Sequence, residues 1–280
     1  MLEREEYIEQ AYLFRQLLAR VIQDNLPIQE VFVSVRQEIL ATTKLPMAID
    51  FLLAELKHQG VFGTAMAKLP HYFAPFQTFL IQSAEEEQGR FDFRMALEIL
   101  LREAEYLAQG GSPQAIFLFQ FECLARNRLS YDKGLKAMSA DPRFDGPWRE
   151  WILTVRREIG LIDLADLIYV RSHYHVVRET QRMGEPYVLP LDKPVLFGEK
   201  EGLIALANRQ KDPLYLFSAL QRQLGYPEVP RPKLSDPREQ QMPILLRRLD
   251  NMEMRLKMIE EEGKGGIDLT KFYGPNAPGD

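Results

Sequence analysis

Residues 91–128 read FDFRMALEILLREAEYLAQGGSPQAIFLFQFECLARNR, and two helices can be marked off in them without any other information. The first runs over 91–109 and is closed by Gly110–Gly111. Glycine adopts the left-handed conformation with which helices commonly end. Ser112–Pro113 then supplies an N-cap and a first-turn proline, and the second helix continues to about Arg128. Serine satisfies a free N–H of the first turn, while proline lacks one and has φ already set. Helix, glycine stop, cap and proline start follow within a few residues, which sets the pattern for the rest of the chain.

Read toward the N-terminus, residues 2–24 form an amphipathic helix with Tyr7, Ala11, Phe14, Leu18 and Val21 on one face. Pro27 opens a second helix that runs to Leu40. A third is punctuated by Thr43, Pro46 and Gly60. Residues 61–74 read as an irregular connection, and Pro75 opens a helix that Gly89 stops. Glu85–Glu86–Glu87 ends that helix, where acidic groups oppose the dipole, and is read as a solvated face.

Read toward the C-terminus, Tyr131–Ser139 makes a short helix, and Pro147 begins one that Gly160 stops. Asp163 caps a segment reaching about Arg178, but Ile168, Tyr169, Val170, Tyr174, Val176 and Val177 also suit a strand. Residues 164–178 stay open between the two. Pro186, Pro190 and Pro194 make 183–198 an extended crossover arm, with a sub-boundary near 180–200. Gly198–Glu–Lys–Glu–Gly202 is read as a turn. Helices over 202–210 and 213–224 follow, the second with Asp212 as cap and Gly225 as stop.

The expected fold is all-α: an antiparallel multi-helix array, solenoid-like or an irregular bundle, with a body of residues 1–225. Ala125, the Ser130–Tyr131 turn, Asp141–Pro142 and Trp148 resemble one tetratricopeptide junction. The likeness spans 24 of 280 residues and has no second copy. Shared helix-pair geometry accounts for it.

Beyond the body, Pro227, Pro230, Pro232 and Pro237 make 226–237 a stiff spacer. Residues 238–262 carry a heptad seam of Met242, Leu245, Leu249, Met252, Leu256 and Ile259. With Met242 at a, Arg248 and Arg255 fall at g and face Glu253 and Glu260 at e on a parallel partner. A short C-terminal coiled coil and a homodimer are expected. The tail, 263–280, starts with a glycine break and then gathers Ile267, Leu269, Phe272 and Tyr273 into seven residues, an apolar anchor.

Composition sets the remaining bounds. The chain has 280 residues, 46% of them hydrophobic and 27% charged, with a net charge of −5. Residues 1–109 carry 10 basic against 16 acidic side chains, and no basic face appears elsewhere, so nucleic acid is not an expected partner. No run suits a membrane span, since Gln120 and Glu122 interrupt the longest. The single cysteine, Cys123, and the acidic MLEREEYIEQ start fit a cytoplasmic protein.

Candidate chemistry is sparse. Glu55 and His58 have the Glu-x-x-His spacing that places both on one helical face, but two such motifs are needed for a bundle metal site. His173 and His175 would share a side only on a strand. His71, beside Pro70, could join either group. No metal or other cofactor is expected. The reading is a non-catalytic interaction or scaffold protein that self-associates through the heptad helix and docks by its tail. The alternative is an enzyme or metal-binding protein using the histidines and carboxylates of the body.

Overall fold

In the computed structural model, residues 2–86, 91–190 and 193–231 are described, and the heptad segment 238–262 and the tail anchor lie outside them. Thirteen α-helices account for most of the described chain. They are α1 Arg4–Gln16, α2 Ile28–Glu38, α3 Leu45–Gln59, α4 Phe62–Ala67, α5 Pro75–Glu85, α6 Phe93–Ala108, α7 Pro113–Arg126, α8 Tyr131–Ser139, α9 Gly146–Glu158, α10 Leu164–Tyr169, α11 His173–Met183, α12 Glu199–Ala207 and α13 Pro213–Leu224. No strand is present among the described residues, only isolated bridges at Ile159–Ile162 and Ser172–Phe197. The protein is all-α. None of the described helices is long and apolar enough to cross a membrane.

The caps explain why the helices begin where they do. Side chains of Asp92, Ser112, Ser130, Asp145, Asp163, Ser172 and Asp212 each accept an N–H of the following first turn. Gly60, Gly184 and Gly225 end α3, α11 and α13 at φ of 70°, 73° and 69°. α1 continues over Leu17–Gln23 as a π-helix, a widened stretch that the periodicity does not foretell.

Three local readings are corrected and one left open is resolved. Residues 61–74 are not wholly irregular, because Phe62–Ala67 is a helix. Its first N–H groups are held by α5: Phe62 and Gly63 donate to the two oxygens of Glu85 at 2.7 and 2.8 Å. That carboxylate at a helix C-terminus is therefore a cap for another helix rather than a solvated group. Residues 164–178 are helical but broken into α10 and α11, because the Arg171 carbonyl accepts the Leu196 and Phe197 N–H groups of the proline arm. The turn read at Gly198–Gly202 is the first turn of α12, with Gly198 as its N-cap.

Packing joins helices that are far apart in sequence. α1 lies along α6, and α7 along α13, beside neighbour pairs such as α8 with α9. A stack of nearest-neighbour repeats does not do this. The core is continuous through α1 to α13 and rich in aromatics: Phe14, Phe32, Phe62, Phe73, Phe76, Phe117 and Phe217 are all fully buried. Around Phe117, Trp148, Trp151 and Phe197 the rings meet edge-on or tilted, with centroids 4.6–5.9 Å apart. The body also runs past Gly225, since Tyr226 and Val229 are buried and Asn127 donates to the Pro230 carbonyl at 3.4 Å.

Candidate functional site

Two features stand out from this core, one polar and internal, one apolar and open. The polar one is a buried ion cluster. Arg143, from the loop between α8 and α9, binds both oxygens of Asp141 through Nε at 2.9 Å and reaches Glu103 of α6 with Nη2 at 3.3 Å. Gln120 of α7 donates to the same Glu103 oxygen at 2.6 Å. Burial alone would push the Arg143 pKa down, and the two carboxylates outweigh it and hold the guanidinium charged. Asp141 and Arg143 border a cavity of about 340 Å³ that also meets Tyr7, His71, Tyr72 and Gln77. Arg143 Nη1, Glu103 Oε2 and Gln120 Oε1 have no hydrogen-bond partner among the described residues, while the remaining polar atoms of the cluster are taken up in pairing α6, α7 and this loop. The cluster is a tertiary clasp.

The open feature is a groove of about 310 Å³ between α7, the start of α8, the turn after α9 and α13. Phe121 of α7 forms its floor, tilted against Tyr131 at 5.5 Å and Phe217 at 6.0 Å between centroids. Ala125, Ile159 and Leu164 complete an apolar lining. The turn that forms one wall is held firmly. Gly160 has φ of 93°, and the N–H groups of Leu161 and Ile162 both donate to the Glu158 carbonyl at 2.9 Å. Asp163 caps α10 through Oδ1 and accepts the Gln210 N–H with Oδ2 at 2.9 Å, which ties the turn to the loop before α13.

This turn presents Leu161 to solvent with 84% of its surface exposed. Ile162 is exposed beside it, as are Tyr131 and, in the first turn of α13, Leu214 and Tyr215. Isolated exposed apolar residues are ordinary; here five lie in or beside one concave site. The one charged side chain of the lining, Asp163, is taken up in capping α10 and holding Gln210, and the rest of the lining is mostly apolar.

The residues singled out as metal candidates do not converge. Glu55 is ion-paired with Lys68, and His58 is exposed in the last turn of α3. His71 sits on the rim of the polar cavity. His173 and His175 lie two residues apart in the first turn of α11. His175 packs edge-on between Tyr169 at 5.0 Å and Tyr187 at 5.8 Å. Among the described residues no group of three or more His, Cys, Asp or Glu is placed to hold a metal. Cys123 is fully buried, and burial, with Glu103 and Glu122 nearby, pushes its thiol pKa well up.

Sequence reasoning missed both features. Gln120, Glu122 and Glu103 were visible as polar residues interrupting apolar helices, the one signal for a buried network. For the groove, Phe121 and Phe217 read as core, and nothing local marks Leu161 as exposed. No family model matches the chain, and neither the curated proteins nor the solved structures contain a match.

Proposed function

We propose that this chain is a non-catalytic helical interaction protein that self-associates and docks partners through apolar surface. The observation that carries the reading is Leu161, held 84% exposed on a rigid turn beside a groove with an aromatic floor. What supports the reading is the company Leu161 keeps, since Ile162, Tyr131, Leu214 and Tyr215 are exposed with it in or beside the same groove. The sequence supports the same reading through the seam of Met242, Leu245, Leu249, Met252, Leu256 and Ile259, proposed as a parallel homodimeric coil. Ile267, Leu269, Phe272 and Tyr273 are proposed as a further anchor for a protein partner.

Sedimentation velocity of the full chain over a range of concentrations tests this. The protein should move from monomer to dimer as concentration rises, and Leu249→Asp should yield monomers with an intact body. A wild-type chain that stays monomeric at high concentration would end the self-association reading.

A further inference from the structure

We infer that the groove receives the Leu161–Ile162 turn of a second copy of this chain, so that two bodies pair about a two-fold axis through this face. The inference rests on the self-association reading above and names what covers the groove. Its ground is that one patch holds both halves of a contact. The exposed turn is itself one wall of the concave site, which Gly160, Leu161 and Ile162 all line. A two-fold axis lying between a projection and a hollow sets each against its counterpart on the other copy, which is the condition for an isologous interface.

Three observations fit that arrangement better than a chance apolar patch. The projecting turn is preorganised by the bonds to Glu158 and from Gln210, so little order is lost when it is covered. The hollow is aromatic and its near neighbours Tyr131, Leu214 and Tyr215 form an exposed apolar surround, the composition found at the centre of interfaces. Charges of both signs flank it. Arg128, three residues before Tyr131, is exposed and in no ion pair among the described residues, and Asp212, the cap of α13, stands exposed just before Pro213. A patch with a cation and an anion on its margins can satisfy its own image.

The test compares the full chain with Leu161→Asp and Leu161→Met. Leu161 is exposed, so neither variant should change the melting temperature of dilute protein. Each dimer carries the change twice, so Leu161→Asp should weaken dimerisation by about a hundredfold or more, and Leu161→Met by little. An unchanged dissociation constant for Leu161→Asp overturns the inference while leaving the coil-based reading standing. A wild-type chain that never dimerises removes both.

The location is read separately. Cys123 is buried with its thiol pKa raised, so a Leu161→Cys variant is labelled by a benzophenone maleimide at position 161 alone. Photolysis of a mixture of nitrogen-14 and nitrogen-15 chains should join position 161 of one isotope to residues 121–131 or 213–217 of the other. Crosslinks confined to one chain, including any to residues 267–273, or crosslinks to a different surface, overturn the inference.

Discussion

Removing the guanidinium from the buried clasp is the most demanding test of the packing described above. In Arg143→Met, Asp141 loses its side-chain partner and keeps only the Arg143 backbone N–H at 3.0 Å, which the variant retains. Glu103 keeps only Gln120. Both carboxylates are at most 2% exposed, so the lost cation leaves two poorly hydrated charges. Breaking a buried ion pair from one side costs about 3–5 kcal/mol. For a compact unit of this size each kcal/mol lowers the melting temperature by about 2–4 °C, so a fall of about 6–20 °C is expected. Thermal melting by circular dichroism measures it, with the urea midpoint as a second readout. Adding Glu103→Gln and Asp141→Asn to Arg143→Met removes the stranded charges and should return most of the loss, since the penalty comes chiefly from unpaired buried charge. A single variant that melts within a degree of the wild type would refute the clasp. So would a triple variant less stable than the single one.

Two further outcomes follow from particular contacts. Burial lowers the pKa of His175 from its ordinary 6.5; Glu179 opposes the shift, and Arg209, Arg178 and Arg182 favour it. The unfolded imidazole then takes up a proton near that pH while the folded one resists, so stability falls as pH drops below about 6.5. His175→Gln should lose this part of the slope in urea titrations between pH 7.5 and 5, and an identical slope would contradict it. Gly202 lies where α12 crosses the start of α11, and a Cβ there would overlap Ser172 and approach the Tyr174 Cβ to 2.7 Å. Gly202→Ala gains about 1 kcal/mol in helix propensity but is overpacked by about 1–3 kcal/mol, so the melting temperature should fall; a rise would show that the crossing is loose.

How far the fold could be read in advance depended on whether each helix end is governed by its own neighbours. Ser112–Pro113, Ser130–Tyr131 and Asp212–Pro213 are local caps, and α7, α8 and α13 begin where those residues say. α4 has no side-chain cap of its own, and its donors are met by Glu85, 22 and 23 residues away, so no local pattern could reveal it. The break between α10 and α11 has half a signal, the Ser172 cap, but its cause is the distant arm at Leu196 and Phe197. The groove was illegible for a similar reason. Phe121, Tyr131, Leu164 and Phe217 each carry an ordinary core or boundary pattern, and only the tertiary fold sets them around one hollow. The histidines were the reverse, conspicuous in sequence and dispersed in space.

The partnership of α1 with α6 has a consequence for synthesis on the ribosome. Arg4 bonds the Ala108 carbonyl and Arg15 pairs with Glu105, contacts that span 104 and 90 residues. At about 5–20 residues per second, α1 leaves the exit tunnel about 5–20 s before the helix that covers it. For that interval Leu13, Phe14 and Leu17, wholly buried in the finished protein, have no α6 to pack against. The nascent chain is then a natural client for whatever shields apolar helices in the cell. Slower translation before residue 93 would lengthen its exposure.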